Sequence, residues 1–163
     1  MPKITTVSPN CVKLITHFET GDNIFSYLKA YQYPAKVWTI GIGTTVYPNG
    51  TKVKQGDVIT IDLAIDYLLH DLKTFQVAVD AYTTDLVNQN QFDALVSFAY
   101  NLGASALKSS TLLKKVNINP NDPTIQAEFE KWVYAGNVKL PGLIRRRKAE
   151  AFLYYKGQLK FNF

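Results

Sequence analysis

The chain has 163 residues, 47% hydrophobic, 13% aromatic and 19% charged. That composition can bury the core of one compact domain, or of two small lobes sharing a long helix, and it excludes a disordered, charge-rich chain. Eighteen basic and 13 acidic residues give a net charge of +5 that is spread unevenly, because residues 1–107 hold 7 Lys and 9 acids while residues 108–163 hold 11 Lys or Arg and 4 acids.

The basic C-terminal third is expected to attract polyanions. Its run Arg145, Arg146, Arg147 and Lys148 has no interleaved stacking aromatics and no base-reading motif, so nucleic acid is not the expected partner. Cys11 is the single cysteine, which excludes an internal disulfide, and His17 and His70 are too isolated to form a zinc set. No cofactor and no metal is expected. The apolar stretch over residues 94–102 is broken by Ser97 and Asn101 and falls short of the roughly 20 residues that span a bilayer. The polar start of the chain does not read as a secretory leader, so stable membrane insertion is not expected either.

In chain order, Ser8 and Pro9 suit a helix cap and a first-turn proline, and Val12, Ile15 and Phe18 follow at helical spacing to an end near Glu19. Between residues 38 and 60 the period changes. Trp38, Ile40 and Ile42 alternate with Thr39, Gly41 and Gly43, and Pro48, Asn49 and Gly50 make a turn, which predicts a small antiparallel sheet. Thr60 caps a long helix whose Ile61, Ile65, Leu68, Leu72, Phe75 and Val79 share one face through about Tyr82. Asn88 and Gln91 have capping-box spacing and open a helix that Gly103 stops.

A short helix is expected from Ser110 or Thr111 through Val116, and another from Ile125 to Val133 after the cap pair Asp122 and Pro123. Pro141 opens the last helix, with Leu143, Ile144, Ala151, Phe152 and Tyr155 facing inward and residues 145–148 on the exposed side. The order helix, small sheet, long helix and helical bundle is an α+β arrangement.

Glu19 is the residue that suggests chemistry. A partly buried carboxylic acid at a helix end, facing a glycine-rich sheet, suits glycoside hydrolysis, where it must hold a proton for the leaving oxygen. A solvated helix-end glutamate has the same local sequence, and spacing alone leaves both readings open.

The segments around it decide more. Leu14, Ile15, Thr16, His17, Phe18 and Glu19, then Lys29, Ala30 and Tyr31, then residues 37–45 reading Val-Trp-Thr-Ile-Gly-Ile-Gly-Thr-Thr, resemble the catalytic lobe of the phage-type lysozymes, the endolysin family of muramidases. The likeness continues through residues 88–98, through Ser110 to Leu113, and through residues 140–147 with Glu150, so it covers nearly the whole chain. It implies one lysozyme-like domain of 163 residues: a sheet-containing catalytic lobe over about 20–60, a connecting helix over about 61–82, and a helical lobe of about 83–163 with the N-terminal helix.

The family's active site reads Glu, eight residues, Asp or Cys, five residues, Thr. Glu19 and Thr39 match its ends, but the residue six positions before Thr39 is Tyr33, and five extra residues are inserted within about 20–27. The resemblance implies that Glu19 protonates the glycosidic oxygen while the missing Asp would activate water. With an ordinary pKa near 10, about one part in a thousand of a phenol is ionised at pH 7, so Tyr33 is a weak base. Asp22, inside the insertion, is the other candidate; were the first helix to continue, it would share a face with Glu19. Thr39 can position the attacking water, and Ser110 aligns with a position that faces the sugar chain.

The expected activity is hydrolysis of the β-1,4 bond between N-acetylmuramic acid and N-acetylglucosamine by a monomer that binds the peptidoglycan glycan strand. The expected location is the host cytoplasm until holin-mediated release to the cell wall. The alternative is a catalytically weakened or silent lysozyme-like protein that binds glycan.

Overall fold

The structure is a computed structural model describing residues 2–32 and 36–163. It contains seven α-helices among the described residues: α1 Pro9–Thr20, α2 Ile61–Tyr82, α3 Gln89–Leu102, α4 Ala104–Ser109, α5 Thr111–Ile118, α6 Ile125–Glu130 and α7 Pro141–Lys156. Two short antiparallel pairs accompany them, β1 Tyr31–Gln32 with β2 Trp38–Thr39, and β3 Tyr134–Ala135 with β4 Val138–Lys139. The arrangement is α+β as the sequence predicts.

The chain divides into two compact units, Met1–Leu14 with Thr74–Phe163, and Ile15–Lys73. The first is a helical bundle. Its centre is α3, buried at every position from 91 to 99, and it packs against α7 and α4 while α6 packs against α7 and α5. The α3 start is a capping box: the Asn88 side chain accepts from the Gln91 N–H and the Gln91 side chain accepts from the Asn88 N–H. Edge-on rings of Phe98, Phe129, Trp132 and Tyr154 fill the space between helices. Each such fully buried Phe contributes roughly 1.5–3 kcal/mol of transfer free energy.

Within this bundle the basic run departs from expectation. Arg146 and Arg147 are buried, not exposed, because helical spacing turns them onto the face that carries Glu150. Arg146 Nε lies 3.3 Å from Glu150 Oε1, Arg147 Nε lies 2.9 Å from Oε2, and Ser97 Oγ donates to Oε1 at 2.7 Å. Arg147 also donates to Asn101 Oδ1 at 2.7 Å and stacks on the Phe98 ring. Arg145 alone of the three arginines is exposed.

Several boundaries differ for local reasons. Gly103 stops α3, its N–H donating to Ala99 O, yet the chain turns at φ 97 and resumes at once as α4. Asp122 does not cap a helix directly but closes a turn, accepting from the Thr124 N–H and hydroxyl. The helix expected to reach Val133 ends at Glu130, since Gly136, at φ 59, folds the following residues into the β3–β4 hairpin.

The second unit holds Ile40, Ile42, Val53, Ile59, Ala64, Leu68 and Leu72 in its core. Among the described residues the sheet expected over 38–60 shrinks to β1–β2 and three isolated bridges, Lys29 with Val58, Ile40 with Thr44, and Val46 with Lys52. Gly41 and Gly43, both at positive φ, curl the alternating run back on itself, so that Ile40 and Thr44 exchange backbone hydrogen bonds of 2.8 and 3.1 Å. Thr60 does cap α2, accepting from the Leu63 N–H at 3.2 Å.

Candidate active site

A cavity of about 660 Å³ opens in the second unit. Phe18 and Glu19 reach it from the last turn of α1, Tyr31 and Gln32 from β1, Thr39 from β2, and Gly43 from the turn after it. Ser26 and Tyr27 complete it from a single 3-10 turn, Ile24–Tyr27, that lies in the inserted segment.

Each side chain is held by local structure. The α1 terminus is fixed by Thr20, whose hydroxyl donates to Thr16 O at 2.7 Å, and by Gly21, whose N–H donates to His17 O at 2.8 Å. Gly21 and Asp22 both adopt left-handed backbone, φ 58 and 64, which ends the helix and turns the chain. The β1–β2 register pairs Tyr31 with Thr39 directly, so their side chains stand on the same face. Thr39 Oγ1 donates to Val37 O at 3.1 Å, and the Tyr31 ring meets Tyr27 edge-on at 5.0 Å.

The cavity combines the Glu19 carboxyl, the aliphatic hydroxyls of Ser26 and Thr39, the Gln32 amide and the rings of Phe18, Tyr27 and Tyr31. Burial, with the nearby Glu19 charge as the next contribution, pushes the Tyr31 phenol up to about 12, so it is a neutral hydrogen-bonding group at any physiological pH. A carboxyl group beside aromatic rings and a hydroxyl can exchange a proton with a group bound on one face of the cavity while the hydroxyl holds a water.

The sequence candidates fall in three places. Glu19 and Thr39 line one cavity. Asp22 does not line it: α1 ends before it, so no shared helix face forms, and its carboxylate pairs with His17 Nδ1 at 2.6 Å with the side chain 73% exposed. Tyr33 lies outside the described residues. Ser110 is a buried cap at the start of α5, where its Oγ donates to Leu107 O at 2.7 Å and accepts from the Leu113 N–H at 3.0 Å. Both hydroxyl functions are therefore used by backbone.

Sequence reasoning missed Ser26, Tyr27, Tyr31 and Gln32 as wall residues. The concentration of tyrosines between Glu19 and Thr39 was the available signal. A second missed pair is Thr44 and Asp71: the buried Thr44 hydroxyl donates to Asp71 Oδ2 at 3.0 Å and ties the glycine turn to α2. Among the described residues, no group of three or more His, Cys, Asp or Glu side chains could hold a metal ion.

The family model described as Phage lysozyme matches residues 26–150, a span that opens after Glu19. The endolysin of Acyrthosiphon pisum secondary endosymbiont phage 1 is 39% identical over 131 residues, covering 78% of this chain and 86% of the relative. The endolysin of Bacillus phage B103 is 40% identical over 140 residues, covering 83% of this chain and 51% of that protein, so the chain spans about half of that relative's length. In three dimensions the endolysin from Escherichia coli O157:H7 phage FAHEc1 is similar, with a TM-score of 0.85 at 33% identity over 95% of this chain and 96% of the other.

Proposed function

The chain belongs to the phage lysozyme family, and from that premise we propose that it is an endolysin-type muramidase with Glu19 as its general acid. The substrate is the peptidoglycan glycan strand, cleaved at the β-1,4 bond between N-acetylmuramic acid and N-acetylglucosamine. The protein acts on the cell wall after leaving the host cytoplasm.

In this reading Glu19 is the group that delivers a proton to the glycosidic oxygen as the bond breaks. Positive charge develops on the sugar ring, and water attacks the anomeric carbon. Thr39 holds that water: its own proton is engaged by Val37 O, which leaves the oxygen lone pairs to accept from the water. The water's proton passes to the sugar or to solvent, because Asp22 is turned toward His17 and a phenol such as Tyr33 is a poor base.

The observation that carries this reading is the convergence of Glu19 and Thr39, from separate elements, on one aromatic-walled cavity. Lysis of outer-membrane-permeabilised Gram-negative cells, followed by turbidity, tests it. Glu19→Gln should lower the rate by at least about 100-fold, and equal lysis by the variant would remove the acid assignment. Thr39→Ala should slow lysis, whereas Asp22→Asn and Tyr33→Phe should not. The presence of Tyr33 in place of the family Asp favours a second reading, a silent glycan binder. Release of reducing ends from purified sacculi separates the two, since a silent binder releases none.

A further inference from the structure

A second cavity in the Ile15–Lys73 unit shares no lining residue with the first. It measures about 530 Å³, within the range of about 300–1,000 Å³ typical of small-ligand sites. We infer that it binds a neutral, N-acetylated sugar ring of the glycan strand, as an anchoring site apart from Glu19. The inference rests on the chain's substrate being a glycan strand, and the test below separates the two.

The lining is built from residues of opposite character. Tyr47 and Tyr67 place their rings edge to face at 5.4 Å, and Val58 and Leu63, 70% and 39% exposed, add apolar surface beside them. The polar members are Asn49, in the turn that joins Tyr47 to Thr51, and Asp57, whose N–H closes a turn on Lys54 O. Asn49 Oδ1 accepts from the Thr51 N–H at 3.0 Å and from its hydroxyl at 2.7 Å. Asp57 Oδ2 accepts from Tyr47 Oη at 2.8 Å and from the Lys54 N–H at 2.9 Å.

Those bonds occupy one side of each group. Among the described residues Asn49 Nδ2, Asp57 Oδ1 and the Tyr67 hydroxyl have no hydrogen-bond partner, which leaves a donor, an acceptor and a group that is both. A pyranose ring presents that combination in reverse: C–H bonds on its flat face meet aromatic rings, and hydroxyls at its edge meet planar amides and carboxylates.

Charge narrows the sugar. The Lys54 backbone N–H and the Tyr47 hydroxyl hold the Asp57 carboxyl below its ordinary range, so it is ionised, and among the described residues no Lys or Arg lines the cavity. A sugar bearing a carboxylate would be repelled. N-acetylglucosamine, whose acetamide can meet Asn49 and whose ring is uncharged, is accommodated. A polymer held at such a point keeps its neighbouring bonds at high local concentration near the enzyme.

The probe is the N-acetylglucosamine trimer, titrated into the full-length 15N-labelled chain carrying Glu19→Gln and followed by amide chemical shifts. Two sets of residues should move, one around 49–58 and one around 39–43. Tyr67→Ala should abolish the first set and leave the second. Movement only around 39–43, or an unchanged first set in Tyr67→Ala, overturns the site while leaving the glycan reading intact. No movement in either set overturns both. A tripeptide with a free amine should leave the 49–58 set unmoved, and movement with it but not with the trimer overturns the sugar assignment.

Kinetics supply the second measurement, in the chain with Glu19 retained. Tyr67→Ala and, separately, Leu63→Ser should each raise KM on insoluble sacculi about two- to tenfold with kcat unchanged, the factor a single ring or apolar side-chain contact supplies. A drop in kcat at unchanged KM, in both variants, overturns the anchoring role.

Discussion

Glu128 shows how one carboxylate sets a pH response. Its side chain is 6% exposed and lies 2.8 Å from Lys115 and 2.7 Å from Lys131. Hydrogen bonds from these two ammonium groups hold its carboxyl below the ordinary value of 4.5. A depressed acid contributes stability that is present above its unfolded pKa and lost as pH falls through the folded one. The lysines are partly solvated, so the contribution is about 1 kcal/mol. Urea denaturation at pH 7 and pH 3 should find Glu128→Gln less stable than the parent at the higher pH, with a smaller gap at the lower. An equal gap at both pH values would show that charge is not the cause. Asp93 has the opposite sign: burial raises its carboxyl against the hydrogen bonds of Ser8 and Gln89, so its contribution is present in acid and lost as pH rises.

At the level of elements, two junctions are strained or charged enough to measure. Gly41 turns the chain after β2 at φ 60, and an added Cβ would meet Ala64 Cβ at 3.0 Å and Ile59 Cδ1 at 3.1 Å. Left-handed backbone and overpacking then add, and Gly41→Ala should cost about 3 kcal/mol. Gly50, at φ 86 with nothing within 4 Å, carries only the backbone component, so Gly50→Ala should cost about 1 kcal/mol. Equal urea midpoints for the two variants would contradict the packing account. Between α3 and α7, Glu150 is the counter-ion of two buried arginines. Glu150→Gln leaves their charges uncompensated and should cost about 3–5 kcal/mol, read from the same midpoints; a loss under 1 kcal/mol would refute it.

Over the whole molecule the charge excess follows the division into units. The Ile15–Lys73 unit, which holds the cavity of Glu19, has five Lys and six acids, and the remaining residues have thirteen Lys or Arg and seven acids. Sequestration of Arg146 and Arg147 by Glu150 leaves the surface lysines and Arg145 as the solvent-facing basic groups. Binding of the Glu19→Gln chain to sacculi should weaken steadily as sodium chloride rises from about 0.05 to 0.5 M, because the Debye length contracts to a few ångströms. Salt-independent binding would assign adsorption to the sugar contacts alone. Among the described residues no helix is long and apolar enough to cross a membrane.

The sequence by itself determined the elements whose signals are local. The Asn88 and Gln91 capping box, the Thr60 cap, the end of α1 beside Glu19 and the α+β order all follow from periods and caps that act within a few residues. The β3–β4 hairpin was not read, although the turn pair Gly136 and Asn137 was its local signal, because the helical pattern before it was carried on to Val133. Tertiary structure decided what depends on distant partners. Arg146 and Arg147 look like a solvated stripe until Ser97 and Asn101 of α3 meet them. Tyr27, Tyr31 and Thr39 join Glu19 only because glycine turns and a two-residue ladder fold separate segments onto one cavity. Local propensity fixes where a helix begins, but burial and hydrogen-bond partnership belong to pairs of residues that only the folded chain brings within reach.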